Sequence, residues 1–108
     1  FDSSKSIVQK VSEITPPLKL ISPNGGEVYY AGKRGIFKWY SNIDGKVSVL
    51  LSNNDGKSWK KIGGAKASKQ QATLRIPTSY RSQRVIAKVC SMKTRNLCSS
   101  SDLPFSVE

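Results

Sequence analysis

The sequence predicts an all-β sandwich of about seven short antiparallel strands. Three observations predict it. Apolar and polar residues alternate in short runs along most of the chain. Clusters of Gly, Pro, Asn and Asp separate those runs, as "PNGG", "NIDG", "NNDG", "IGG" and "PTS". No segment carries a sustained helical period.

The elements follow in order. "LKLIS", residues 18–22, alternates and stops at Pro23. The glycines that follow raise the question of a phosphate-cradling loop. Such a loop needs a strand before it and a helix after it, whose first amides meet the phosphate. Here the β-rich stretch "EVYYAGKRGIFKWY" follows, with no lysine at the Walker spacing. The glycines therefore supply turn geometry, and the chain is expected to kink into a short strand at Val28–Tyr30. "GIFKWYS" sets Phe37 and Trp39 on one face, with Lys38 and Tyr40 on the other. "KVSVLLS" points Val47, Val49 and Leu51 inward, and Ser48 and Leu50 outward. "ATLRIP" points Leu74 and Ile76 in, and Thr73 and Arg75 out. "RVIAKVC" points Val85, Ala87 and Val89 in, and "LPFSV" closes the domain with Phe105 and Val107.

Residues 1–17, "FDSSKSIVQKVSEITPP", show no such order and end on a stiff Pro16–Pro17 pair. They read as a linker from a preceding domain, with one short strand near Ile7–Val11. Residues 18–108 are then one β-sandwich domain. The total of 108 residues fits a single domain, one that hides roughly two-thirds of its unfolded surface. The chain opens on Phe1 rather than Met, so it is expected to be a piece of a longer protein. No run is long enough to span a membrane.

Eighteen Lys and Arg face seven acids and no His, a net charge of +11. Such a field attracts nucleic acid, acidic polysaccharide or anionic head groups. Charge far from zero also keeps a domain soluble, and the cations form no dense block. Both readings stay open. The candidate anion- or glycan-binding residues are Lys38, Tyr40 and Arg75 on one outer face, and Arg84 with Lys88 on the other.

Cys90 and Cys98 lie in "VCSMKTRNLCSSS". A structural zinc site needs four ligands, usually Cys and His, and there are no other Cys and no His. A disulfide across a short hairpin is the reading, with two buried free thiols as the alternative. In the chain-entropy model so short a loop gains roughly 2.5 kcal/mol, less any strain. Disulfides persist outside the cytosol, which points to a secreted or cell-surface protein.

"ISPNGGEVYYAGKRGIFKWY", "VSVLLSNNDGKSWKKI", "LRIPTS" and "RVIAKVC…SSSDLPFSV" together cover residues 18–108. In that order they resemble the immunoglobulin-like module of fungal cell-wall glucan-assembly proteins and Ser/Thr-rich GPI-anchored proteins. Related modules with a Pro-Asn-Gly-Gly-Glu start occur in secreted bacterial multidomain proteins. The resemblance implies an immunoglobulin/fibronectin-III-like sandwich that is extracellular and has no settled catalytic residues. The Cys pair and the large positive charge depart from the family pattern.

Two motifs have tempting readings. "SNNDGKSW", residues 52–59, resembles the Asp-box Ser-x-Asp-x-Gly-x-x-Trp, with Asn54 at the Asp position. A sugar site is one reading. A hairpin staple, with Trp59 packed beneath it, is the plainer one. The other is a small patch: Leu50 and Ile86 both point outward beside Lys88, on strands that neighbour each other in such a sandwich. They could dock a partner, or be covered by the linker or the next strand.

An enzyme is not expected, and no cofactor or metal is called for. The acids Asp2, Glu13, Glu27, Asp44, Asp55, Asp102 and Glu108 place no two on one strand face, as paired-carboxylate chemistry needs. No His can serve a Ser nucleophile, and no EF-type calcium spacing occurs. The sequence therefore reads as a non-catalytic extracellular module of a larger protein, an accessory domain for adhesion, carbohydrate or anion binding, or domain spacing. It is expected to be monomeric in isolation. Its expected partners are the other domains of its parent chain and an anionic polysaccharide or cell-wall glycan. A basic β-domain that binds single-stranded nucleic acid, with tyrosines as stacking platforms, is the alternative; nucleic acid is not the expected partner.

Overall fold

The computed structural model describes residues 17–108. The linker and its short strand near Ile7–Val11 lie outside the described residues, except for Pro17. Nine strands form among the described residues: β1 (Leu18–Ser22), β2 (Val28–Tyr29), β3 (Arg34–Ser41), β4 (Lys46–Ser52), β5 (Lys60–Lys66), β6 (Gln71–Arg75), β7 (Ser82–Ser91), β8 (Cys98–Ser100) and β9 (Phe105–Val107). They make two sheets. One has the order β1-β3-β6; the other runs β2-β9-β7-β4-β5, with β8 added to β7. This is the strand order of an immunoglobulin-like sandwich, with β1, β3 and β6 as A, B and E, and β4, β7 and β9 as C, F and G. The pairing is antiparallel except between β2 and β9, which run parallel.

Alternation sets the core as expected. Phe37, Trp39, Val47, Val49, Leu51, Ile76, Val85, Ala87, Val89, Phe105 and Val107 are all buried between the sheets. Leu74 is only half-buried, at the open margin between β5 and β6. Trp39 anchors a polar knot within this core. Its indole Nε1 donates to the Ala67 carbonyl at 3.0 Å, which also accepts from the Ser41 hydroxyl at 2.7 Å. Gln70, in the left-handed region at φ 62°, closes the knot by bonding both the N–H and the carbonyl of Ser41. Buried polar atoms are thus partnered where an unpaired one would cost most.

Two expectations are corrected. "IGG" does not turn the chain. It lies inside β5, where Val49 pairs with Gly63 but Leu50 pairs with Lys61, so Ile62 is an extra residue in a bulge. Glycine fits because a Cβ on Gly64 would lie 2.5 Å from the Val47 carbonyl oxygen. Lys66 ends that strand, and Lys69 lies in a short 3-10 turn. The short β8 is also additional. The disulfide joins Cys90 and Cys98 as directly opposed residues of β7 and β8, their Cα atoms 4.0 Å apart. The bridge staples the short β7–β8 hairpin, as the sequence reading expects.

The "PNGGE" turn behaves as the sequence implies. The Glu27 carboxylate accepts the N–H groups of Asn24 and Gly25 at 2.7–3.0 Å. Asn24 in turn holds the closing segment: its Oδ1 accepts from Asp102 N–H, and its carbonyl accepts from Leu103 N–H. The start and end of the domain lock each other.

Candidate functional site

The outer face of the three-stranded sheet gathers the cations. Outward positions on β3 carry Arg34, Ile36, Lys38 and Tyr40, all exposed. Register places Arg75 of β6 beside Arg34, and Gln71 beside Lys38. On the other side Lys19 of β1 stands beside Tyr40. Lys38, Tyr40 and Arg75 therefore do share one face, but Lys38 and Arg75 are not neighbours. At about 6.7 Å per pair of residues, Arg34 and Lys38 stand roughly 13 Å apart. Lys19 and Arg34 belong to the same set and were missed. Their outward phase was legible in the alternation, but their rungs depend on pairing. None of the outward positions on these three strands carries a carboxylate.

The second candidate pair is differently placed. Arg84 reaches Asp55 at 3.1 Å in an exposed ion pair. Lys88 lies 4.2 Å above the Trp59 ring, a cation–π contact. Both cations thus already have partners within the chain. Leu50 stands opposite Lys88, and Ile86 opposite Ser52. Both are half-buried. The hairpin before β5 comes over Ile86, since a Cβ on Gly56 would touch both Trp59 and the Ile86 side chain.

That hairpin is the Asp-box-like segment, and its polar atoms serve it locally. The Ser52 hydroxyl accepts from the N–H groups of Asn54 and Gly56. Asn54 Oδ1 accepts from the Ser52 hydroxyl and the Ser58 N–H, and its amide donates to the Ser58 hydroxyl. Asp55 and Gly56 take the positive φ values, 59° and 86°, that the turn requires. The geometry is that of a staple.

Two groups depart from ordinary acidity. Burial pushes the Tyr29 phenol up, against a smaller opposing effect of Ser22. For Glu27, burial alone would raise the carboxyl, but the amides of Gly25, Asn24 and Glu27 itself outweigh it and hold it below the ordinary glutamate range. Both belong to the β1–β2 turn region and explain packing rather than chemistry. No group of three or more His, Cys, Asp or Glu comes together among the described residues. No helix among them is long and apolar enough to cross a membrane. Comparison of the chain with protein-family models, curated proteins and solved structures finds no match in any of the three.

Proposed function

We propose that this domain is a non-catalytic extracellular module of a larger secreted or surface protein, and that it binds an anionic partner through the outer face of β1, β3 and β6. One observation carries the reading: Lys19, Arg34, Lys38 and Arg75 point outward from that face, with no carboxylate among the outward positions of its strands. On the opposite sheet, by contrast, Arg84 and Lys88 are engaged by Asp55 and Trp59. The Cys90–Cys98 bridge supports an oxidising compartment. The resemblance to cell-wall and secreted immunoglobulin-like modules supports the extracellular setting.

Exposed Tyr30 and Tyr40 keep the single-stranded nucleic acid alternative in play. The test is binding to heparin and to single-stranded DNA across a salt series. Affinity should fall linearly on a log–log plot as contacts release counterions, and heparin should still bind near physiological salt. Preference for DNA would favour the alternative. No binding of either at that salt would leave the charge as solubility and the module as a spacer.

A further inference from the structure

β1 covers only part of β3. Its registered partners on β3 run from Ser41 back to Lys38, after which the chain crosses to β2 in the other sheet. On its other side β3 pairs with β6 over Arg34–Lys38. The stretch Arg34–Phe37 therefore has one edge that no β1 residue meets. In antiparallel strands the N–H and C=O of one residue point to the same side, and successive residues alternate. Trp39 donates its N–H toward the β6 side, to Gln70. Gly35 and Phe37 share that direction, so Arg34 and Ile36 turn their backbone groups to the side on which no described strand pairs with them. The Ile36 carbonyl agrees, since it accepts the Tyr29 hydroxyl there.

The opening is a groove of about 560 Å³ lined in part by Ile21, Val28, Tyr30, Arg34, Ile36 and Lys38. Ile21, Val28, Tyr30 and Ile36 are each about half exposed, at 52, 46, 57 and 49%. An apolar cluster of this kind, rimmed by charge, marks an interaction surface. Among the described residues, two cations line the groove and no carboxylate does.

We infer that this groove takes an extended acidic segment of a partner protein, added along β3 as an extra strand. The inference rests on the reading of this face as anion-binding and names the class of partner. Three features select that occupant together. That edge offers the backbone groups of Arg34 and the Ile36 N–H in strand register, and the Ile36 carbonyl keeps a second lone pair beside the Tyr29 hydroxyl. The exposed aliphatic side chains match aliphatic side chains on a guest strand. Arg34 and Lys38 call for carboxylates between them. A polysaccharide or nucleic acid supplies anions but neither of the other two. A second copy of this basic edge is repelled, because charged side chains on an edge guard against self-pairing.

The experiment uses the folded protein and a fluorescently labelled peptide of about eight alternating Glu and Val residues, the length of an ordinary strand. Anisotropy should report saturable binding near physiological salt, and the Lys-Val counterpart should not bind. Ile36→Glu should weaken binding by about tenfold or more, with circular dichroism confirming its fold. Two further peptides carry N-methyl groups on one or the other set of alternate backbone amides, leaving the protein untouched. At least one should bind about tenfold more weakly, the loss expected for one or two backbone hydrogen bonds. Equal binding of both methylated peptides and the parent would overturn the strand-addition mode. Heparin binding without peptide binding would overturn the inference while leaving the anionic-partner reading intact. Failure of both ligands would remove both.

Discussion

Trp39 is 1% exposed and its indole is bonded to the Ala67 carbonyl at the centre of a buried polar knot. Trp39→Ala removes the largest buried side chain and leaves that carbonyl short of a donor. The loss should be roughly 3–5 kcal/mol, a large part of the stability of so small a domain. Urea denaturation checks it; a variant with an unchanged midpoint would mean that the ring does not hold the two sheets together. Glu27 makes a smaller contribution with a distinct pH signature. Its folded carboxyl is held below the ordinary glutamate range, so the stability it gives is fully present above the unfolded value and is lost as pH falls through the folded one. Glu27→Gln should therefore melt lower than the parent at neutral pH. The difference should close as pH falls below the ordinary glutamate range, where the carboxyl itself protonates. A gap that stays constant to pH 2 would assign the effect to packing instead.

At the scale of elements, the β7–β8 hairpin and the bulged β5 make separate predictions. Replacing Cys90 and Cys98 by Ala should cost roughly 2–3 kcal/mol, because the bridge closes a short loop in the unfolded chain. Titration of unfolded, unreduced protein should find no free thiol, as the Cys90–Cys98 bond requires. The two elements also show what the sequence conceals. β3 and β4 were readable because strict alternation points every second apolar residue to one core, and Trp39, Phe37, Val47 and Val49 lie where that phase puts them. β5 was hidden because Gly63–Gly64 has the composition of a turn, and only the close approach of the Val47 carbonyl explains glycine in a strand. β8 was hidden because "CSS" has no apolar alternation, and it exists through its pairing with β7. The binding face was half legible for a related reason. Alternation gives Lys38, Tyr40 and Arg75 their outward phase, but only register sets Arg34 beside Arg75 and Lys19 beside Tyr40. Nothing in composition distinguished the engaged cations Arg84 and Lys88 from the others.

For the whole molecule, the issue is whether a net charge of +11 acts as a field or as a site. A uniform field responds to the total charge removed and is screened by salt wherever the charge sits. A site depends on position. Charge reversal therefore separates the two when equal numbers of charges are reversed in different places. Lys38 and Arg75 lie on the outer face of the three-stranded sheet. Lys66, at the end of β5, and Lys69, in the 3-10 turn, are also exposed but are not among its outward strand positions. The most direct measurement is heparin affinity near physiological salt for Lys38→Glu/Arg75→Glu against Lys66→Glu/Lys69→Glu, each folded by circular dichroism. The first pair should lose at least about tenfold more affinity than the second, or ~1.4 kcal/mol. Equal losses from the two pairs would contradict it and leave a non-specific cationic surface.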